Sequence, residues 1–153
     1  MDPNFLQRIN RLPDYFQQLE TCIPITQESL SLVPQFGIYL FLENGDPVYV
    51  GRTNRMKDRL KEHGRIGSKH NHASFAFQLA KELAVERGID VSEMTRSELN
   101  EHEAFNVVFQ NQRERVADMH IKYVEITDQI DQCLFEVYVA QVYQTRYNSF
   151  DNH

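Results

Sequence analysis

The spacing of apolar and polar positions along the chain predicts helices around a small β-sheet. Residues 4–21 repeat apolar side chains at helical spacing with a break at Pro13, and a short helical turn follows before Pro34. The period then shortens to that of strands on either side of Glu43-Asn44-Gly45-Asp46, a sequence typical of a hairpin turn. The predicted elements after residue 35 are strands 36–42 and 47–51, helix 55–63, loop 64–72, helices 73–87 and 95–116, strand 121–126 and helix 128–147.

This order of elements predicts the fold class. It indicates an α/β (α+β) fold, in which a small, mainly antiparallel sheet of three strands is flanked by helices. We expect residues 1–35 to form an N-terminal helical extension packed on the core, and residues 36–153 to form one domain with a helical insertion at about residues 64–118. No apolar run approaches the ~18 residues of a membrane-spanning helix, so a membrane is not an expected partner.

The distribution of charge along the chain predicts a different kind of partner from the net charge alone. A net charge of −6 by itself disfavours a nucleic acid. Residues 50–72, however, contain seven basic and two acidic side chains, a net +5 that leaves −11 on the rest of the chain. Such a basic segment on an acidic body is suited to bind a phosphate backbone at one place, and the alternative is a solvated basic helix face.

The two cysteines, Cys22 and Cys133, indicate neither a disulfide framework nor a zinc site. We expect free thiols in a reducing cytoplasm, with Cys133 in the core because it lies in an apolar stretch. His63, His70 and His72 also lack the spacing of a familiar zinc site.

The hairpin turn decides on which faces of the sheet its two tyrosines lie. A two-residue loop, Asn44-Gly45, would pair Tyr39 with Val50, so that the tyrosines would face opposite sides. A three-residue loop, Glu43-Asn44-Gly45, would pair Tyr39 with Tyr49 and place a glycine at the left-handed position. We predict the three-residue loop and therefore two phenols side by side. The alternative interpretation is an aromatic pair that only stabilises the sheet.

One carboxylate differs from its neighbours in the last predicted helix. Glu136 lies in an apolar segment, where a single charge is costly to bury unless it is paired or binds a cation. The two interpretations are a buried salt bridge, for example with Arg59, and a metal ligand. On the predicted helix 55–63, Arg55, Arg59 and His63 are spaced four apart and share one face.

Together these residues resemble the motif of the GIY-YIG nuclease family. Gly37-Ile38-Tyr39 and, ten residues on, Tyr49-Val50-Gly51 match its two tripeptides across a hairpin. The resemblance covers residues 36–63 and 119–148 and implies a GIY-YIG-like fold. The further positions that match, in chain order, are Arg52, Arg59, His63, Glu136 and Asn148.

The resemblance implies a metal-dependent endonuclease that hydrolyses phosphodiester bonds. It implies Tyr49 as the general base, with Tyr39 as the second choice, and Arg59 as the clamp on the scissile phosphate. His63 is expected to accept the tyrosine proton. Glu136 is expected to bind one divalent ion, Mg²⁺ or Mn²⁺, because a single carboxylate with several waters suits these ions. The residues expected at phosphate or nucleic acid are Arg52, Arg55, Lys57, Arg65, Lys69 and Asn148.

The resemblance leaves the substrate and the assembly open. We expect DNA, with RNA as the alternative, and a monomer or homodimer. The alternatives to catalysis are a non-catalytic nucleic-acid-binding module and a protein-interaction domain on the same fold. If the chain reads a DNA sequence, the insertion is the expected reader, through Gln78, Lys81, Arg87, Arg113 and Arg115.

Overall fold

Three strands form one antiparallel sheet in the part of the chain that the computed structural model describes, residues 1–64 and 73–150. β1 (Gly37–Glu43) is the central strand, with β2 (Asp46–Thr53) on one side and β3 (His120–Glu125) on the other. The antiparallel sheet and the helices that flank it confirm the predicted α+β class.

The same described residues form seven α-helices, several of which begin at a side-chain cap. Asp2 caps the first by accepting a hydrogen bond from the Phe5 N–H, and a capping box of Thr95 and Glu98 opens the fifth. Among these residues, no helix is both long and apolar enough to cross a membrane. In chain order the helices are α1 (Pro3–Ile9), α2 (Leu12–Thr21), α3 (Met56–Gly64), α4 (Ser74–Glu86), α5 (Arg96–Glu101), α6 (Glu103–Ala117) and α7 (Gln129–Tyr143). A 3-10 helix, Gln27–Leu32, precedes β1.

The chain divides into two units. The first contains Met1–Lys57 and Met119–His153, and therefore the sheet, α1, α2 and α7. The second, Asp58–Asp118, contains α4, α5 and α6 and overlaps the predicted insertion. α3 begins in the first unit and continues into the second.

Two helices end earlier than the apolar pattern predicts. The helix predicted over 95–116 is two helices, because His102 has an extended backbone and its ring Nδ1 accepts the Phe105 N–H to cap α6. The helix predicted over 128–147 ends at Tyr143, because Gln144 adopts a left-handed conformation with φ +48°.

One face of the sheet packs on α2 and α7. Alternate residues of β1, beginning with Ile38, point to this face. Because Glu136 lies on α7 beside the buried Phe135, the packing of the helix fixes where the carboxylate is held. The cluster contains Leu12 and Leu19 from α2, Ile38, Leu40, Leu42, Val50, Val124 and Ile126 from the sheet region, and Phe135, Val139 and Ala140 from α7.

The hairpin turn differs from the prediction. Glu43 pairs with Asp46, so the loop is the two-residue Asn44-Gly45, and both residues have positive φ (+53° and +88°) as a type I′ turn requires. The three-residue loop is wrong. An irregularity follows between Phe41 and Leu42, where Phe41 pairs with Tyr49 and Leu42 with Pro47.

This β-bulge restores the shared face of the two tyrosines. The extra residue, Val48, shifts the register by one, so that Tyr39 lies opposite Gly51 and Tyr49 opposite Phe41. Tyr39 and Tyr49 are thus diagonal neighbours on one face, with ring centroids 6.4 Å apart, rather than a direct pair.

Both outer edges of the sheet are partly covered. Ile25 exchanges two backbone hydrogen bonds with Ile121 on the edge of β3 (2.9 and 2.8 Å). On the edge of β2, the Tyr147 N–H donates to the Val48 carbonyl at 3.3 Å.

The cysteines are free thiols, as predicted, but Cys133 is exposed rather than in the core. Its position on α7 is between Gln132 and Leu134, and the helix turns Gln132 inward, where it is buried, and Cys133 outward. The apolar run around Cys133 therefore covers more of the helix surface than the core accommodates.

Candidate active site

The carboxylate of Glu136 forms an ion pair with Arg52. Arg52 stands on β2 opposite Ile38, whose side chain belongs to the core cluster, so strand alternation directs Arg52 to the face that α7 covers. Its Nε donates to Glu136 Oε2 at 3.0 Å, and the two side chains are 48% and 20% exposed. The salt-bridge partner weighed from the sequence was Arg59, whereas the partner found is Arg52.

The surroundings of Glu136 suit a divalent cation. Burial raises the pKa of the Glu136 carboxyl above its usual range, and the charge and hydrogen bond of Arg52 offset this only in part. Oε2 accepts from Arg52, while Oε1 accepts no hydrogen bond from the residues that the structure describes. In residues 1–64 and 73–150, no three His, Cys, Asp or Glu side chains come together as a metal cluster. A single carboxylate with one open oxygen fits an ion that keeps most of its waters.

Two glycines of the hairpin are required by their contacts. A Cβ at Gly51 would overlap the ring carbon Cζ and the hydroxyl of Tyr39. A Cβ at Gly37 would overlap the carbonyl oxygen of Val124, and its φ of +148° also disfavours a side chain. Gly37 thus permits the β1–β3 pairing, and Gly51 leaves room for the Tyr39 phenol.

The tyrosines and the ion pair approach β2 from opposite faces of the sheet. Tyr39 is 1% exposed and its hydroxyl passes over Gly51, the residue directly before Arg52. Tyr49 is half-buried on the same face as Tyr39. On the edge strand β2, the residue under the Tyr39 hydroxyl and the residue paired to Glu136 are therefore neighbours in the sequence.

A third tyrosine shares the face of Tyr39. Tyr123 on β3 is directly opposite Tyr39 and is half-buried. Its place on this face depends on β3 pairing with β1 rather than with β2, and the residue pattern alone does not determine that pairing. The clean alternation of residues 121–126 was the available signal.

Asn148 binds the backbone of β2. Its Oδ1 accepts from the Val50 N–H at 2.9 Å and its Nδ2 donates to the Val50 carbonyl at 2.8 Å, so the amide acts as one residue of an additional strand. The Thr145 hydroxyl donates to the same Oδ1 at 2.8 Å. The amide that was predicted at phosphate or nucleic acid is thus engaged with the residue between Tyr49 and Gly51.

Asn148→Ala is expected to lower the free energy of unfolding by about 2–3 kcal/mol, because the N–H and carbonyl of the buried Val50 lose their partner. Urea denaturation measures the loss, and amide hydrogen exchange of Val50 should accelerate. Asn106→Ala is the matched control, since it removes one surface amide bond to the Asn100 carbonyl and should change stability by less than about 0.5 kcal/mol. Equal midpoints for Asn148→Ala and wild type would contradict the assignment.

Arg59 and His63 lie on α3, in the second unit. The Arg59 guanidinium donates to Ser74 Oγ at 3.0 Å and lies 3.5 Å from Glu62 Oε2. His63 is fully buried, and this burial together with the charge of Arg59 lowers its pKa to about 3. A histidine with this pKa is neutral at pH 7 and is a poor acceptor for a tyrosine proton.

The remaining predicted phosphate contacts divide into two groups. Arg52, Arg55 and Lys57 are exposed at the end of β2 and the start of α3. Arg65 and Lys69, like His70 and His72, lie outside the described residues.

The predicted reader residues of the insertion are not all available to DNA. Arg113 is fully buried, with its guanidinium 4.9 Å from the centre of the Phe109 ring and 3.2 Å from Gln110 Oε1, so its prediction as a base or phosphate contact is wrong. Lys81 and Arg87 are exposed, whereas Gln78 and Arg115 are half-buried. Residues 73–118 contain nine acidic and five basic side chains, a balance that disfavours contact with a phosphate backbone.

Comparisons with known proteins add one likeness. No family model matches the chain, and no curated protein matches it. A solved structure that is similar is the crystal structure of the GIY-YIG N-terminal endonuclease domain of UvrC from Thermotoga maritima, a point mutant bound to its catalytic divalent cation. The likeness covers 80% of this chain and 93% of that chain, with 17% sequence identity and a TM-score of 0.41.

Proposed function

We propose that the chain is a metal-dependent endonuclease of the GIY-YIG type that hydrolyses phosphodiester bonds of DNA. The observation that carries the proposal is Glu136, a largely shielded carboxylate with one oxygen paired to Arg52 and the other open among the described residues. Its cost of burial is explained if it holds a cation. The other motif residues would supply the remaining groups that the reaction requires.

Hydrolysis of a phosphodiester requires an activated water and compensation of negative charge on the phosphoryl oxygens. Glu136 would hold one Mg²⁺ or Mn²⁺, which supplies charge compensation and lowers the pKa of a bound water. Arg59 would bind the scissile phosphate, because a guanidinium keeps its charge and offers a planar pair of donors. Arg52, Arg55 and Lys57 would contact the DNA backbone through their exposed charges.

Tyr49 would act as the general base. A free phenol has a pKa of about 10, so a positive neighbour has to favour its ionised form at neutral pH. Tyr49 is more accessible than Tyr39, whose hydroxyl is buried against Gly51. Tyr39 would then position Tyr49 and the edge of β2. We assign the buried His63 a hydrogen-bonding role, because its low pKa does not suit a proton acceptor.

The test is cleavage of supercoiled plasmid by the purified chain in Mg²⁺ or Mn²⁺, followed on a gel. Nicked or linear DNA is expected, and both EDTA and Glu136→Gln should abolish it. Intact plasmid in every metal, together with no binding in a gel shift, would contradict the proposal.

A non-catalytic nucleic-acid-binding module is the second candidate. The charge distribution favours it, because a basic segment of +5 on a body of −11 supports local binding without requiring cleavage. DNA binding that is unchanged in Glu136→Gln, with no cleavage by the wild type, would select this candidate.

A further inference from the structure

The Arg52–Glu136 ion pair joins an exposed cation to a shielded anion. The carboxylate is held by the packing of α7 and is 20% exposed, whereas 48% of the Arg52 side chain is in solvent. Arg52 is also near the end of the edge strand β2. The Arg52 side chain can therefore rotate away from the carboxylate without moving a buried group, whereas the packing of α7 holds Glu136 in place.

The ion pairs of another carboxylate in the first unit, that of Asp131, differ from the pair of Glu136 in the number of donors. Asp131, which is 1% exposed, lies one turn and a half before Glu136 on the same helix. It accepts hydrogen bonds from Arg8, Arg11 and the Tyr15 hydroxyl, so several protein groups compensate its charge at once. Among the described residues, Glu136 has the single donor Arg52.

We infer that Arg52 is an exchangeable counter-ion of Glu136, which compensates the carboxylate in the metal-free protein and is displaced when a divalent cation binds. The inference rests on the proposed function, because it takes Glu136 as the metal ligand. It adds that Arg52 lowers the affinity of this site for metal. The physical reason is that the entering cation has to replace an existing ion pair and is repelled by the positive charge that remains nearby.

Titration of the metal-free full chain with Mn²⁺ at pH 8 tests this, with free Mn²⁺ measured by electron paramagnetic resonance. Arg52→Gln should bind Mn²⁺ about three- to tenfold more tightly than wild type, since the competing charge is gone. Arg52→Lys keeps a positive charge but loses the planar guanidinium, and its affinity should fall between the two. Glu136→Gln should lose the site in either background.

The matched control is Arg11→Gln. Arg11 is 44% exposed and pairs with Asp131 at 2.9 Å, so the variant removes an arginine of similar exposure from another carboxylate of the same unit. Its Mn²⁺ affinity should equal that of wild type. Arg52→Gln with unchanged or weaker binding would overturn the inference while leaving Glu136 as the ligand. Wild type that binds Mn²⁺ no better than Glu136→Gln would overturn both the inference and the proposed metal site.

Discussion

Glu136→Gln should lower the rate of metal-dependent cleavage by roughly 10³-fold or more. It should leave the fold at least as stable as that of the wild type. The loss of activity follows if Glu136 is the one carboxylate that holds the cation, since a metal ion contributes several kcal/mol of charge stabilisation in such a reaction. Single-turnover cleavage in Mg²⁺ measures the effect. Glu125→Gln, which removes an exposed carboxylate at the end of β3, should cleave as the wild type does.

The direction of the stability change follows from the raised pKa of Glu136. A carboxyl whose pKa is higher in the folded than in the unfolded protein stabilises the fold fully only below its unfolded pKa. That contribution is lost as the pH rises through the folded pKa, so at pH 8 in EDTA the charged Glu136 is a net cost. Glutamine has the same size without the charge, and the Tm of Glu136→Gln should equal or exceed that of the wild type.

The two measurements together separate a metal ligand from a structural ion pair. Loss of cleavage with an unchanged or higher Tm is the expected signature of a functional carboxylate. A marked fall in Tm would instead mean that the Arg52–Glu136 pair stabilises the fold, and persistent EDTA-sensitive cleavage would place the metal at another group.

Tyr49→Phe should lower the rate of the cleavage step by about 10²–10⁴-fold, the usual contribution of a positioned general base. The change removes only a hydroxyl from a half-buried ring, so its packing against Phe41 and Tyr39 is kept and the fold should persist. Single-turnover rates at saturating protein separate this loss from weaker DNA binding. Substrate affinity should stay close to that of the wild type.

Tyr39→Phe distinguishes the two candidate bases, and Tyr123→Phe is the matched control. We expect Tyr39→Phe to be slower than wild type by less than about tenfold, because a residue that only positions the base contributes less than the base itself. Tyr123 lies opposite Tyr39 on the same face, and its variant should retain the wild-type rate. If Tyr39→Phe shows the larger loss, the roles of Tyr39 and Tyr49 are exchanged.

The fold class was predictable because it depends on periodicity alone. The strand pattern around Tyr39 and Tyr49, and the alternation near Tyr123, indicate three strands whatever their exact pairing. The helix break at His102 was not predictable, because it depends on an imidazole that caps the next helix in place of a continuing backbone hydrogen bond.

The prediction that Tyr39 and Tyr49 share one face of the sheet was right, but the turn on which it was based was wrong. Asn44-Gly45 is the preferred pair for a two-residue turn, and the chain uses it. The shared face of Tyr39 and Tyr49 was expected from a longer loop, whereas it results from the bulge at Val48. A bulge has no reliable signature in one sequence, because it depends on which neighbours the strand has on both sides.

The sequence proposes the residues of the candidate site but not the contacts that they make. The motif selects Glu136, Arg52 and Asn148, yet it does not show that Arg52 pairs with the carboxylate or that the Asn148 amide binds Val50. Nor does it show that His63 is buried, which determines its protonation state. These properties depend on burial, and burial is a property of the folded chain.

The side chain of Asn148 has a consequence for how the chain behaves in solution. An open strand edge is a template on which another molecule can add its own strand, and proteins commonly block such edges. Here the edge of β2 is closed at Val50 by one amide and at Val48 by the neighbouring Tyr147 N–H. A chain shortened before Tyr147 would therefore expose the edge of a strand containing Val48 and Val50. We expect such a chain to self-associate into aggregates before any change in activity is seen.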